Sequence, residues 1–388
     1  MLRLVHTADV HIGARHAALG DQASVLRERQ FAAFRSSVDL AIAEKVDLFL
    51  VAGDLFDSNT QPRRSVERVA MEISRLREAG IRSVIIPGTH DVYDRASIFR
   101  AYDLPRMAGN PPGEDWVTIL TPSRPDAHLE TCDVVVHGRV FSTKRAPHSP
   151  LLDLRVADDT RATWHIGLVH AAIAIPGKTD GDDVVVSADE IGSTGLDYLA
   201  LGHWHSTQQG KSGKVSYAYA GAPEPTAIDQ AGAGSVLLVT LDDSKDPRSV
   251  KVEGRRVGRT SFESLEIDAA SIGSQPALVE RLTAKANPDL VLDARIIGVR
   301  PDDLDLHIDE LEEHLRSSFL RVRVRDHSMP PLTEGTLPPP DTIAGAFIRD
   351  TEARVAELEA ADRAEEAAEL RDVLRLGRLL LAGHEVSL

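Results

Sequence analysis

The stretch "VDLFLVAGDLFD", residues Val46 to Asp57, is an apolar run that stops at a glycine and leaves two aspartates just beyond it. A short run without polar alternation is expected of a strand buried on both faces, the pattern of a parallel sheet covered by helices. The flanks agree. Upstream, Phe31, Phe34, Val38, Ala41 and Ile42 recur at helical spacing behind a first strand in "LRLVHTA". Downstream, Val66, Val69, Ala70, Ile73 and Leu76 mark a second amphipathic helix closed by Gly80, and "IRSVIIPG" supplies a third strand. This βαβαβ order predicts parallel strands with right-handed crossovers, an α/β fold whose site lies at the carboxyl ends of the strands.

Five short motifs follow one another, each at the end of an apolar run. "TADVH" supplies Asp9 and His11, "AGDLFD" supplies Asp54 and Asp57, and "PGTHD" supplies Thr89, His90 and Asp91. "LVH" supplies His170, and "LGHWH" supplies His203 and His205. Residues two apart on an extended chain point the same way, so Asp9 with His11, and His203 with His205, are expected to share a face. Singly these motifs say little, since a histidine at a strand end is most often a satisfied polar group. Together, carboxylates and imidazoles form a ligand set suited to Mn, Fe or Zn, and two such ions polarise a phosphate and generate hydroxide near neutral pH. Their joint occurrence points to a dinuclear phosphoesterase site.

The composition narrows the alternatives. The chain has 388 residues, too many for one average domain, and a net charge of −16 from 60 acidic and 44 basic residues. That balance disfavours nucleic-acid binding by long-range electrostatics, although metal ions and a local basic patch can hold a phosphate on an acidic protein. Cys132 is the single cysteine, which excludes an internal disulfide and a Cys-based zinc cluster and fits a reducing cytoplasm. Met1 leads directly into a strand-like run, so no secretory leader is expected, and no apolar stretch approaches membrane-spanning length.

The series DxH, GDxxD, GxHD, a lone His and GHxH resembles the calcineurin-like metallophosphoesterases. "LVHTADVHIG", "VAGDLFDSNTQP" and "GHWHSTQ" followed by "YAGAPEP" resemble one branch, the SbcD-type DNA-repair exonucleases that work with SbcC-type ATPases. The resemblance covers about residues 1 to 240. It implies that Asp9, His11 and His205 hold one metal ion, that His170 and His203 hold a second, and that Asp54 bridges them. Thr89 stands where the family has Asn, so the second ion is expected to be held less firmly. The resemblance also implies that His90 stabilises or protonates the leaving oxygen, with Asp91 orienting its ring. Asp57 has two readings, a supporting group behind the ligands or a cap on the next segment, and the cap is preferred. Trp204, between two ligands, should turn away into the core.

The domain reading is a metallophosphoesterase domain over 1–245 and a small α+β cap over 246–327. A proline-rich linker over 328–341 and a helical tail over 342–388 follow. Arg321, Arg323 and Arg325 alternate with Val322 and Val324 and offer one strand face as a DNA-contacting ridge. The tail is rich in leucine from Leu370 onward and suits a docking element, and the resemblance implies that it binds an SbcC-like coiled-coil ATPase. The resemblance also makes a homodimer possible through helices near the start. The function expected is an Mn-dependent DNA nuclease; a small-molecule or cyclic-nucleotide phosphodiesterase and a weakly catalytic DNA-end-binding scaffold are the alternatives.

Overall fold

A computed structural model describes the chain except residues 17–19, 21, 147, 158–160, 176–183, 245–247, 302–303, 330–337, 362 and 382–388, and the side chains of 375 and 379. It divides into two compact units, Met1–Phe262 and Glu263–Leu388.

The first unit holds two six-stranded sheets. In one, Leu2–Thr7 runs parallel to Leu48–Ala52, which is parallel in turn to Arg82–Ile86 and Val117–Ile119. On the other side of Leu2–Thr7, Ser235–Asp242 pairs antiparallel, and Ser249–Arg256 forms the edge. In the second sheet, Val215–Tyr219, Tyr198–Gly202, Trp164–His170 and Val134–Gly138 are parallel neighbours. Antiparallel strands Gln208–Ser212 and Asp126–Leu129 close its two edges.

The strand Leu48–Ala52 is buried at every residue, as its sequence requires. Leu48 and Leu50 enter a core shared with Trp164, Ile166, Leu168 and Ala200 of the facing sheet. Phe49 and Val51 point the other way, onto Phe34 and Val38 of helix Ala23–Ala43 and Val66, Val69 and Ile73 of helix Arg63–Glu78. The period of two thus divides one apolar run between two cores, each full burial adding roughly 1.5–3 kcal/mol. Arg75 and Arg77 in the last turn of Arg63–Glu78 complement the helix dipole, and Gly80, at φ +78°, ends it.

One polar pair is buried between the sheets. His6 Nδ1 lies 2.9 Å from the Tyr198 hydroxyl, and both residues are fully buried. Burial pushes the His6 imidazole down to about 3 from 6.5, so it stays neutral in the folded protein while the unfolded chain takes up a proton below pH 6.5. Its contribution to stability is therefore complete above pH 6.5 and lost as the pH falls from 6.5 towards 3. His6→Gln is expected to flatten the fall of stability over that window, measured by urea unfolding in chelator at several pH values. Parallel profiles for the two proteins would refute it.

In the second unit, strands Ser261–Asp268, Asn287–Ile297 and Phe319–Asp326 form a sheet whose apolar face packs on helices Gln275–Thr283 and Ile308–Leu315. This is the expected α+β arrangement. Its boundary differs from the sequence reading. Ser249–Arg256, placed in the cap by its change of texture, pairs along its whole length with Ser235–Asp242 and packs Val250 and Val252 on the inter-sheet core. Alternating residues announce a strand but not the sheet it joins.

Most of the proline-rich linker, residues 330–337, lies outside the described residues. Beyond it, Thr342 caps helix Ile343–Ala360 by accepting from Gly345 N at 3.0 Å. Helix Ala364–Leu381 lies against it through the ion pairs Arg378–Glu352 and Arg371–Glu359 and the Phe347 ring beside Gly377. Ile343, Val373, Leu380 and Leu381 remain exposed. Among the described residues, no helix is long and apolar enough to cross a membrane.

Candidate metal centre

Five strands of the first unit end at one place. Leu2–Thr7 delivers Asp9 and His11, Leu48–Ala52 delivers Asp54, and Arg82–Ile86 delivers the segment Gly88–Asp91. From the facing sheet, His170 is the last residue of Trp164–His170, while His203 and His205 follow Tyr198–Gly202. The loops are joined by main-chain hydrogen bonds, Asp9 N to Gly53 O at 3.1 Å and His11 N to Asp54 O at 3.0 Å.

The convergence does not come from an extended chain. Asp9, His11, Asp54 and His203 have φ of 51°, 50°, 51° and 105°, the left-handed region that costs a non-glycine residue on the order of 1–3 kcal/mol. Backbone strain of this kind gathers where geometry serves a function. Glycine allows the close approach: a Cβ on Gly53 would overlap the His170 imidazole, and one on Gly88 would overlap the Asp54 carboxylate.

The side chains form two overlapping groups, Asp9–His11–His205 and Asp9–Asp54–His170, each with candidate ligand atoms within 4.8 Å of one another. His11 Nε2 and His205 Nε2 are 3.1 Å apart. Asp54 Oδ2 is 3.2 Å from His170 Nε2 and 3.8 Å from His11 Nε2, so one carboxylate oxygen faces both groups. His203 adds its backbone N–H to both oxygens of Asp9, at 3.1 Å each, and its ring stands edge-on to His170 with centroids 5.4 Å apart. Thr89 is partly buried between Gly88 and His90, whose backbone N–H donates to Asp54 Oδ1 at 2.8 Å.

Behind these groups the second nitrogens are held. His170 Nδ1 is 2.8 Å from the Ala52 carbonyl, and His205 Nδ1 is 2.7 Å from the Gln230 amide. His11 Nδ1 lies 3.4 Å from Asp57 Oδ1. That makes Asp57 a support for an imidazole rather than the cap that its position after a strand suggested. A carboxylate behind a histidine fixes the ring and raises its basicity as a ligand.

His90 is half exposed, its Nδ1 3.0 Å from the Asp57 carbonyl and 3.9 Å from Asp57 Oδ1. Asp91, expected to orient this ring, instead accepts from Gly88 N at 2.7 Å and Phe56 N at 3.0 Å. It braces the loop. Both oxygens of a fully buried carboxylate go to the nearest unpaired amides, which lie on two different loops. His11, Asp57 and His90 form a third group within 4.8 Å, but there the Asp57 carboxylate stands 3.4 Å from His11 Nδ1 and the Asp57 main-chain carbonyl holds His90 Nδ1 at 3.0 Å.

The electrostatics match a site built for cations. Burial pushes Asp9 up to about 6 and Asp91 up to about 7, with the Asp54 charge adding to both. Burial also pushes Asp54 upward, but the His170 and His11 imidazoles outweigh it and hold Asp54 below the ordinary carboxylate range. Burial opposes the charged form of His170 too, and the Asp54 and Asp9 carboxylates raise it to about 10. Burial and the His11 charge take His205 down to about 4. Among the described residues, the buried His170 Nε2 has no hydrogen-bond partner of ordinary geometry. Buried carboxylates, an orphaned imidazole nitrogen and paired Nε2 atoms suit divalent cations with mixed nitrogen and oxygen ligands. An open cavity of about 730 Å³, lined by His203, Trp204, His205, Gln208, Asp229 and Gln230 among others, adjoins them.

Arg321, Arg323 and Arg325 belong to the second unit, on strand Phe319–Asp326. Arg323 is exposed, and Arg325 pairs with Asp293 at 3.1 Å. Sequence reading missed the supports Ala52, Gln230 and the Asp57 carbonyl, because a backbone oxygen carries no signature and Gln230 lies 25 residues beyond His205.

The calcineurin-like phosphoesterase profile matches residues 2–207, more than half of the 388-residue chain. An uncharacterized metallophosphoesterase, YhaO of Bacillus subtilis, is 24% identical over 72% of this chain and 66% of its own length. The DNA double-strand break repair protein Mre11 of Aeropyrum pernix is 30% identical over 71% of this chain and 65% of its own. A subunit of the nuclease SbcCD from Bacillus subtilis is 27% identical over 61% of this chain and 66% of its own. The chain thus spans just under two thirds of the length of each of these three relatives.

Proposed function

Because the chain belongs to the calcineurin-like phosphoesterase family, we propose that it is a metal-dependent nuclease that hydrolyses DNA phosphodiesters in end processing and repair. The observation that carries this reading is the Asp54 carboxylate, with one oxygen facing imidazoles of both groups at 3.2 and 3.8 Å. Asp9, His11 and His205 would hold one cation, and His170, His203 and Thr89 the other, with Asp54 shared. Two divalent cations, Mn first with Fe or Zn as alternatives, supply Lewis-acid polarisation of a phosphate and a nucleophile at neutral pH. His90 stabilises or protonates the leaving oxygen, its Nδ1 kept by the Asp57 carbonyl so that Nε2 is available to the substrate.

DNA as substrate is supported by the relatives that carry DNA-repair and nuclease names, and by a half-exposed His90 that a polymer can reach without entering a closed pocket. Arg321, Arg323 and Arg325 on strand Phe319–Asp326 serve as the basic ridge for the DNA strand in this reading, with Arg325 also paired to Asp293. Docking of an SbcC-like ATPase is assigned to the carboxyl-terminal helices, where Ile343, Val373, Leu380 and Leu381 are exposed. A homodimer through the early helices and a cytoplasmic location complete the reading.

The test compares linear duplex DNA, a cyclic nucleotide and bis-p-nitrophenyl phosphate with Mn present. DNA cleavage is expected. Turnover of the cyclic nucleotide without DNA cleavage favours the small-molecule reading, and tight end binding without turnover favours the scaffold. Thr89→Asn, which restores an amide oxygen, is expected to raise retention of the second ion by about tenfold. Metal content after dialysis checks this, and equal, full occupancy of both sites in the two proteins contradicts it.

A further inference from the structure

Tyr219 is the last residue of strand Val215–Tyr219, fully buried, and carries no charge that the chemistry needs. Its hydroxyl nevertheless accepts from Ile173 N and donates to Ala171 O, each at 2.8 Å. Those two backbone groups belong to the segment that leaves His170. Its ring lies on the Trp204 indole, centroids 4.8 Å apart and planes 23° from parallel. Trp204 stands between His203 and His205, and Ala171 N also donates to Gly202 O at 3.2 Å.

We infer that Tyr219 is a positioning residue that sets the distance between His170 and His203, clamping one segment with its hydroxyl and the other through Trp204. It touches no reacting atom. A ring locked in the core transmits position because packed interiors do not deform smoothly. The inference rests on the proposed two-ion site, and it adds a reason for "GHWH" to carry an aromatic at its third place.

The experiment is Mn titration by calorimetry on the full chain, with electron paramagnetic resonance to separate the two ions. Wild type is expected to bind two. Tyr219→Phe keeps the stacking and deletes the hydroxyl; it should weaken the ion at His170 and His203 by about tenfold to a hundredfold. The ion at Asp9, His11 and His205 should stay within about threefold and report a folded protein. Excess Mn should then restore kcat. Trp204→Leu, which leaves both hydroxyl bonds in place, should weaken the same ion and serves if Tyr219→Phe does not fold. Unchanged affinities, or equal weakening of both ions with a lower Tm, overturn the inference. Failure of wild type to bind two ions would instead overturn the site on which it rests.

Discussion

Asp54→Asn is expected to lower metal-dependent phosphodiester hydrolysis by about 10³-fold or more, and to weaken both cations together. The substitution is nearly isosteric. It keeps an acceptor for the His90 N–H that now meets Oδ1 at 2.8 Å, so the loop has no reason to collapse. What it removes is the negative charge facing the His170 and His11 imidazoles at 3.2 and 3.8 Å. Without it, His170 loses the carboxylate chiefly responsible for raising it to about 10, and among the described residues the two groups that share Asp9 are left with that one carboxylate. Joint loss of the two ions is the diagnostic outcome, since a residue serving one ion weakens only one. Calorimetric Mn titration beside a cleavage assay reads both, and retention of either ion at wild-type affinity contradicts the shared position.

His90→Ala should behave differently, losing about 10²–10⁴-fold in kcat while metal binding stays within about twofold. His90 lies outside the two groups that share Asp9, and its Nδ1 is already 3.0 Å from the Asp57 carbonyl. Single-turnover cleavage in saturating Mn measures the chemical step, and metal content measured on the same samples separates the explanations. A fall in metal content that accounts for the lost rate would make His90 a ligand, through the third group with His11 and Asp57.

The strands and the position of the candidate ligands at their ends were legible for a common reason: both follow short-range rules. The apolar run at Leu48–Ala52 announced a strand with two buried faces, and each polar group just past a strand end fell where parallel sheets gather their ligands. What lay beyond the sequence was decided by contacts between distant segments. Asp57 and Asp91 are both aspartates in turns, but one supports His11 and the other accepts amides from Phe56 and Gly88. No local spacing distinguishes them. The left-handed backbone at Asp9 and His11 was equally hidden, because those types tolerate it without requiring it, and the expected period-two geometry gave the right convergence for the wrong reason. The strand Ser249–Arg256 shows the same limit at the scale of domains, its alternation fixing its faces but not its neighbour.

In the proposed function, the carboxylates and imidazoles gathered from two sheets form a two-cation site that cleaves DNA. Its most direct test is the release of nucleotides from linear duplex DNA by metal-stripped protein as Mn is added back. Cleavage is expected to be absent in chelator and to rise only as the second equivalent binds. Protein that binds two equivalents and holds DNA ends tightly, yet releases nothing, would contradict it.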